Sequence, residues 1–304
     1  MNPTKYCIGG LLKRFEGVIT AIVTPLNHNG ELKENSIREI VNFQVGRGIH
    51  GLFPLGTLGE GIYLPVSHRK RVAELVIEQA KSKIPVIIHI GAAEAEKAVE
   101  LAKHAGEIGA DAVCSVAPIY YRPDAKSLIE YFKQIAKASK LPVFIYNNVG
   151  RQGYNIDPKL FGRIASEVPE IVGVKDTSYN VDQITSYIQE HSSKYIIMGA
   201  GDSMMLINFA LGAAGHVCAV SNIFPELTLS LYKAVKEGNI VKARELQFKI
   251  SSIRNILKEV DIAPYKAALK IRGIDAGYPA KPLRPLTDDE CKALLEKLKK
   301  YLED

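Results

Sequence analysis

The apolar positions of this chain fall into eight short runs, spread over the first 220 residues at intervals of roughly 20–35 positions. Each run is rich in β-branched or aromatic residues and is bounded by Gly, Pro or Asn. Short continuous apolar runs are typical of parallel strands that are covered on both faces. The runs lie at residues 18–23, 51–55, 85–90, 112–117, 142–146, 171–174, 195–198 and 216–220.

The segments between these runs show helical periodicity. Between residues 97 and 108, for example, Ala98, Leu101, Ala102 and Ala105 fall on one stripe, as on the buried face of a helix. Strand and helix alternate eight times in about 220 residues, which is the size of a closed (β/α)8 barrel. The sequence therefore predicts an α/β fold, a (β/α)8 TIM barrel with a C-terminal helical extension.

An open, doubly wound sheet is the alternative arrangement of the same elements. Such a sheet normally binds a nucleotide at a glycine-rich first turn. Here the first apolar run leads into Thr24, Pro25 and Leu26, without a Gly-x-Gly-x-x-Gly pattern, and the chain carries no P-loop pattern. The barrel is therefore favoured over a dinucleotide-binding fold.

The pattern changes after residue 223, where four segments with helical periodicity follow one another with no apolar run between them, at residues 225–236, 240–260, 263–272 and 288–302. We expect residues 15–223 to form the catalytic barrel and residues 224–304 to form a helical extension, packed against the barrel or a partner subunit. The first dozen residues are expected to be a loose leader. They lack the continuous apolar stretch of a signal peptide.

Composition and charge exclude several classes of protein. With 304 residues, 47% of them hydrophobic and 24% charged, the chain has a globular composition and not a disordered one. The net charge of +6 is spread along the chain, and the densest basic run, at 297–300, is flanked by acids. We interpret that run as a solvated helix face and expect no nucleic-acid partner. No apolar stretch approaches the ~20 residues of a membrane span.

The four cysteines indicate neither a zinc site nor a disulfide framework. Cys7, Cys114, Cys218 and Cys291 lie far apart, with no Cys-x-x-Cys or His/Cys ligand spacing. Cys114 and Cys218 lie in apolar runs, where free thiols usually serve as small core residues. We therefore expect a metal-free protein of the cytoplasm, where thiols stay reduced.

Lys175 directly follows an apolar strand, at the end where barrel enzymes carry their reactive groups. One interpretation is a lysine that extends its head to the solvated rim. The other is chemical, because burial disfavours the charged form of an amine and a neutral amine can attack a ketone to form a Schiff base. That is the chemistry of a metal-free aldolase.

Three further features could support such a lysine. Tyr146 ends the preceding strand and could relay protons. Gly-Thr-Leu-Gly-Glu at 56–60 indicates a tight turn whose backbone N–H groups could hold a small carboxylate. Arg151 could bind a second carboxylate through two parallel hydrogen bonds. Each alone is equally compatible with an ordinary structural role.

Taken together, these segments resemble the dihydrodipicolinate synthase / N-acetylneuraminate lyase family. The turn at 56–60 is similar to its GTTGE turn, residues 146–153 to its YNxPxRTG segment, and residues 173–176 to its G-[IV]-K-[DE] Schiff-base segment. Residues 118–123, 21–26 and 281–286 are similar to its PYYxRP, A-x-x-TPF and RxPLxPL segments. The motifs run in the same order from about residue 15 to the end, which makes the set far more specific than any one of them.

The resemblance implies catalytic roles for four residues. Lys175 would carry the imine with pyruvate, Tyr146 would relay protons, and Thr57 would link Tyr146 to Tyr120, which would reach in from a neighbouring subunit. The family needs no cofactor beyond the covalent imine. It is usually tetrameric, so the resemblance also implies a homotetramer.

The resemblance also implies substrate-binding residues. The backbone of Thr57 and Leu58 would grip the pyruvate carboxylate, the carbonyl of Cys218 would line the pyruvate site, and Arg151 would hold the carboxylate of an aldehyde substrate. The expected activity is a class I, pyruvate-dependent aldolase or synthase, a carbon-carbon or carbon-oxygen lyase.

Departures from the family motifs leave the identity of the second substrate undetermined. Leu58 replaces the second Thr of GTTGE, Ile119 replaces a Tyr of PYYxRP, and Val149 and Gln152 replace the Pro and Thr of YNxPxRTG. Arg151 favours condensation with a carboxylate-bearing aldehyde. Cleavage of a 2-keto-3-deoxy sugar acid is the alternative, and a non-catalytic pyruvate-binding barrel is an alternative of another class.

Overall fold

The computed structural model describes residues 14–81, 83–258 and 261–302. Cys7 and the expected leader lie outside these residues. In this described part of the chain, eight parallel strands form one sheet. Their bounds are β1 Gly17–Thr20, β2 Gly51–Leu52, β3 Ile87–His89, β4 Ala112–Val116, β5 Val143–Asn147, β6 Ile171–Asp176, β7 Ile196–Ala200 and β8 Gly215–Cys218.

The sheet closes on itself. Strand β1 pairs with both β2 and β8, and β3 to β8 pair in sequence order. Between β2 and β3 the ring is completed by a parallel bridge from Leu52 to Val86 and by the Leu52 N–H, which donates to the Pro85 carbonyl at 2.9 Å. The predicted (β/α)8 barrel is confirmed, and the doubly wound alternative is wrong.

Helices follow the strands around the barrel. They are α1 Glu34–Gly46, α2 Val66–Ala80, α3 Ala95–Glu107, α4 Ala125–Ser139, α5 Val149–Gln152, α6 Pro158–Glu167, α7 Val181–His191 and α8 Met205–Ala210. Local signals fix where several begin. At α4 the Asp124 carboxylate accepts from the Ser127 N–H at 2.8 Å, and at α6 Asp157 accepts from the Leu160 N–H at 2.7 Å, just before Pro158.

Within residues 219–258 and 261–302, four α-helices follow β8. They are α9 Pro225–Lys236, α10 Ile240–Leu257, α11 Ile262–Ala268 and α12 Asp288–Lys299. Helix α12 begins with a capping box in which Thr287 and Glu290 bond each other's backbone N–H. Among the described residues, no helix combines the length and the apolarity needed to cross a membrane.

The hydrophobic core has two layers, as expected for a barrel. The larger layer lies between the strands and the surrounding helices. The smaller one fills the barrel and includes Phe15, Phe53, Phe144, Tyr146 and Met198. These mainly aromatic side chains lie directly beneath the carboxyl ends of the strands, where the candidate site is.

Candidate active site

Lys175 and Tyr146 are paired across β5 and β6. They are Cα partners in the ladder, and the Lys175 Nζ lies 3.3 Å from the centroid of the Tyr146 ring. Lys175 is only 5% exposed, and its Nζ also lies 5.1 Å from the Phe53 ring centroid. Its hydrogen-bond partner is the Thr177 hydroxyl, at 3.4 Å. The amine therefore lies over aromatic surface, with few polar partners.

An irregularity in β6 decides which way Lys175 faces. The pairing register shifts beside Val143, so that Val143 pairs with Ile171 while the next residue pairs with Gly173. A Cβ at Gly173 would lie 2.1 Å from the Ile196 carbonyl oxygen, so only glycine fits there. Val172 and Lys175 both face the barrel interior although they are three residues apart, which strict alternation would forbid.

The Tyr146 hydroxyl has two polar neighbours. The Thr57 Oγ1 lies 3.3 Å away, and the Asn148 Nδ2 donates to the hydroxyl oxygen at 2.7 Å. Burial raises the pKa of Tyr146, but the nearby charge of Lys175 and the side-chain hydrogen bonds of the phenol with its neighbours, Thr57 and Asn148 among them, outweigh burial and lower it overall. A phenol with a lowered pKa gives up and regains a proton more readily, as a relay requires.

The turn at 56–60 presents free backbone donors to the site. Within the described ranges, neither the Thr57 N–H nor the Leu58 N–H donates a hydrogen bond to another group. The turn is held from behind, where the Thr24 hydroxyl donates to the Gly59 carbonyl at 2.7 Å. A Cβ at Gly61 would lie 1.9 Å from the Leu55 carbonyl oxygen, so the chain must pass here without a side chain. Two adjacent free N–H groups are suited to a small carboxylate.

Two cavities meet at Thr57 and Tyr146. The inner one, about 80 Å³, is lined by Lys175, Leu58 and their neighbours. The outer one, about 220 Å³, carries Arg151 at its wall. Its apolar lining residues are Ile62, Val116, Ile119, Ile262 and Leu283. The arrangement offers a small compartment beside the amine and a larger, mainly apolar one beyond the phenol.

Glu60 ties the active-site turn to the C-terminal helices. Its carboxylate pairs with the Lys266 Nζ of α11 at 2.5 Å, with both side chains at most 1% exposed, and accepts from the Ala280 N–H at 2.5 Å. Lys266 also donates to the Tyr278 carbonyl at 2.6 Å. Burial lowers the pKa of Lys266 despite the partner carboxylate. The turn was expected to contribute the Thr57 side chain and the backbone of Thr57 and Leu58, and this buried ion pair was not predicted.

His89 is an uncharged wall of the site. Its Nδ1 lies 2.9 Å from the Leu55 carbonyl and its Nε2 accepts from the Val116 N–H at 3.2 Å, which fixes the proton on Nδ1. Burial, with a smaller contribution from the charge of Arg69, lowers the pKa of His89 to about 3. The imidazole packs edge-on against the Tyr146 ring and stays neutral near pH 7.

The remaining predicted residues lie apart from the amine. Arg151, on α5, is exposed at the outer cavity. Tyr120 is 88% exposed and has its ring against Tyr121, so within one chain it does not meet Thr57, and its role between subunits stays a prediction. The Cys218 carbonyl accepts from the Ala21 N–H and the Ser221 hydroxyl, while its neighbours Val217 and Ala219 line the inner cavity.

Sequence reasoning missed Asn148, Lys266 and Tyr265. Asn148 contacts the proposed proton relay, Lys266 pairs with Glu60, and Tyr265 lines the inner cavity. Asn148 could have been found, since it directly follows β5, two residues past Tyr146. The two residues of α11 come from the far end of the chain, and no local pattern connects them to the barrel. No cluster of His, Cys, Asp and Glu suited to a metal ion occurs in the described part of the chain.

Comparison with known proteins gives a consistent result. The model of the Dihydrodipicolinate synthetase family matches residues 14–301. A protein of Methanopyrus kandleri named 4-hydroxy-tetrahydrodipicolinate synthase is 34% identical over 289 residues, which cover 94% of this chain and 96% of that protein.

Solved structures give the same overall shape. The N-acetylneuraminate lyase of Proteus mirabilis aligns with a TM-score of 0.90 at 28% identity, over 94% of this chain and 98% of its own. YagE, a prophage protein of E. coli K12 that belongs to the dihydrodipicolinic acid synthase family and was solved in complex with pyruvate, aligns with a TM-score of 0.89 at 27% identity, over 94% and 98%.

Proposed function

Since the chain belongs to the dihydrodipicolinate synthetase family, we propose that it condenses pyruvate with a carboxylate-bearing aldehyde through an imine at Lys175. The family makes it a lyase, a class I pyruvate-dependent aldolase or synthase and not a non-catalytic barrel. The observation that carries the residue assignment is the position of the Lys175 Nζ, buried and 3.3 Å from the centroid of the Tyr146 ring.

The first step joins Lys175 to pyruvate. The uncharged amine attacks the keto carbon and a C–N bond forms. The keto oxygen leaves as water, taking one hydrogen from the nitrogen and one proton relayed through the Tyr146 hydroxyl, and a protonated imine remains. The free N–H groups of Thr57 and Leu58 hold the pyruvate carboxylate during this step.

The second step forms the new carbon-carbon bond. The protonated imine draws electrons from the methyl carbon, which gives up a proton to the Tyr146 oxygen left deprotonated by the first step, and an enamine forms. The enamine carbon attacks the aldehyde carbon, and the aldehyde oxygen takes up a proton through Tyr146 as the bond forms. Water then cleaves the imine, which restores the Lys175 amine and releases the product.

The outer cavity supports an aldehyde with a carboxylate and few hydroxyl groups. Arg151 supplies a cation at its wall, suited to a carboxylate. Glu60 and His89 also line this cavity, but they are already bonded to Lys266 and to the backbone. Together with the apolar residues they leave few partners for a chain of hydroxyl groups, which would lose hydrogen bonds to water on entry. Retro-aldol cleavage of a 2-keto-3-deoxy sugar acid is the second candidate, favoured by the similarity to the N-acetylneuraminate lyase.

We also propose that the chain acts as a homotetramer in the cytoplasm, with the barrel at 15–223 and the helical extension at 224–304. Tyr120 and Tyr121, which are 88% and 80% exposed, support a subunit contact at the mouth of the barrel. Large aromatic side chains at such exposure are typical of interfaces.

Borohydride reduction in the presence of pyruvate tests the imine. Trapping should add about 72 Da, the mass of a reduced pyruvyl group, to the peptide that contains Lys175. Lys175→Ala should abolish the addition, whereas Lys194→Ala, which removes an exposed lysine before β7, should retain it. Absence of trapping in the wild type at saturating pyruvate would contradict the proposal. A panel of aldehydes and of 2-keto-3-deoxy acids then separates the two candidate reactions.

A further inference from the structure

The amide of Asn148 is aimed at the oxygen that the proposed mechanism uses. Its Nδ2 lies 2.7 Å from the Tyr146 hydroxyl, which is shorter than the 3.3 Å contact from Thr57 to the same oxygen. Asn148 is 8% exposed, so water does not compete freely for this contact. The family motif leaves its position open between Asn147 and Val149, so the motif assigns it no role.

A rigid frame holds Asn148 in this position. The Asn148 N–H donates to the Gln152 side-chain oxygen at 3.3 Å. The Gln152 side-chain nitrogen in turn donates to the Asn147 side-chain oxygen at 2.9 Å and to the Tyr154 carbonyl at 2.8 Å. Gln152 is 1% exposed and stands where the family motif has a Thr. These buried bonds fix the backbone at Asn148, from which its side chain reaches the Tyr146 hydroxyl.

We propose that Asn148 is a positioning residue, which donates to the Tyr146 oxygen, stabilises negative charge there and directs the phenolic proton toward Thr57 and the substrate. This inference rests on the proposed function. A hydroxyl group has one hydrogen. When its oxygen accepts a hydrogen bond from Asn148, that hydrogen must point toward a different group. The relay then runs in one direction, from the Asn148 amide through Tyr146 to the reacting oxygen.

Other groups that face Tyr146 set the background for its titration. They are the Lys175 amine on β6, the Thr57 hydroxyl, the neutral His89 on β3 and the Tyr179 phenol after β6. Lys175 acts in the same direction as Asn148, since both favour the charged phenolate. Burial acts in the opposite direction. Loss of Asn148 should therefore reduce the stabilisation of the Tyr146 phenolate, while the stabilisation by Lys175 remains.

Two substitutions of similar size test the direction of the hydrogen bond. Asn148→Leu removes the donor, and kcat should fall about 10-fold, the size expected for one hydrogen bond to a group that gains charge. Asn148→Asp replaces the donor by an acceptor that captures the phenolic proton, so kcat should fall further, by about 100-fold. In both variants the alkaline limb of the kcat profile should move to higher pH.

The controls separate this role from a structural one. Asn208→Leu replaces another buried asparagine, 2% exposed, whose amide contacts His216, and should leave the pH profile unchanged. In a Tyr146→Phe background, Asn148→Leu should cost nothing further in kcat, because the two act as a unit. Pyruvate trapping at Lys175 should persist in every Asn148 variant.

The possible outcomes distinguish failure of the role of Asn148 from failure of the proposed function. If the wild type traps pyruvate but Asn148→Leu keeps its kcat and pH profile, the inference is overturned while the proposed function stands. If Asn148→Asp matches the wild type, Asn148 accepts the phenolic proton and the proposed direction is wrong. If the wild type does not trap pyruvate, the proposed function fails; difference titration of the Tyr146 phenol against Tyr146→Phe then still reports whether Asn148 favours the phenolate.

Discussion

Lys175 and Tyr146 are direct partners in the β5–β6 ladder, and the amine lies 3.3 Å from the centroid of the phenol ring. Adjacent parallel strands carry two chemically different groups to the same point at the barrel mouth. Neither strand needs a loop to position its group, so the pair is held by the main-chain hydrogen bonds of the barrel. Sites built on strands keep their geometry better than sites built on loops.

Tyr146→Phe should separate pyruvate binding from turnover. The ring that packs against Lys175 and Phe53 remains, while the hydroxyl that relays protons is lost. We expect pyruvate binding to persist and kcat to fall by roughly 10²–10⁴-fold, the usual contribution of a positioned proton-transfer group. Steady-state kinetics, with borohydride trapping measured in parallel, checks this. An unchanged kcat would remove Tyr146 from the mechanism.

Arg151→Ala should act on the second substrate alone. The guanidinium lines the outer cavity and lies outside the lining of the inner one, so pyruvate trapping should be unaffected. We expect the KM for a carboxylate-bearing aldehyde to rise about 10- to 100-fold, as for loss of a charge-assisted hydrogen bond. Arg163→Ala, on the exposed face of α6, is the matched control. Equal kinetics for both variants would contradict the assignment of Arg151.

Lys266→Met should destabilise the fold by about 3–5 kcal/mol, because it leaves the Glu60 carboxylate buried without its cation. The double variant Glu60→Gln with Lys266→Met should recover part of that loss, since the uncompensated charge is then removed. Urea unfolding of the three proteins measures both effects. A double variant no more stable than Lys266→Met would show that packing, and not charge, holds α11 to the turn.

The fold should lose stability on acidification partly through His216. Burial lowers the pKa of this imidazole to about 3 in the folded state, whereas the ordinary value is 6.5. Between those values the unfolded chain binds a proton that the folded chain does not, so the free energy of unfolding falls as the pH decreases through this window. From pH 7 to 5 the fall is about 2 kcal/mol for one such histidine.

His216→Gln should therefore make the free energy of unfolding less dependent on pH between 7 and 5. Denaturant unfolding at the two pH values measures the difference. His28→Gln, which replaces an exposed histidine in the loop after β1, should retain the wild-type dependence. If His216→Gln retained it too, another buried group would be responsible for the acid sensitivity.

The architecture could be predicted because its signals are local. Each apolar run is one buried strand and each periodic segment one helix, and eight repeats of about the right size leave few folds to choose from. Strand ends were displaced by only a few residues. The longest predicted helix of the extension, 240–260, ends at Leu257, and the segment 263–272 divides into α11 and a short 3-10 helix, Leu269–Arg272.

The site was predictable only where it follows the strands. Lys175, Tyr146 and Thr57 lie at carboxyl ends of strands, and barrel closure alone brings such ends together. The Glu60–Lys266 pair joins positions 206 residues apart. Contacts at that separation depend on how α11 folds back over the barrel, which no periodicity in the sequence encodes.

The sequence by itself determined the strand order, the lysine and the tyrosine at neighbouring strand ends, and the tight turn at 56–60, because these depend on short-range apolar patterning and on backbone freedom at glycine. Only the tertiary structure decided that Lys175 faces the barrel interior, that Asn148 bonds the Tyr146 hydroxyl and that α11 closes the site. The reason is physical: an apolar run covered on both faces shows no alternation that would tell inside from outside. Which side chains of β6 point into the barrel is instead set by the register shift of β6 against β5 and by the close approach of Ile196 to Gly173.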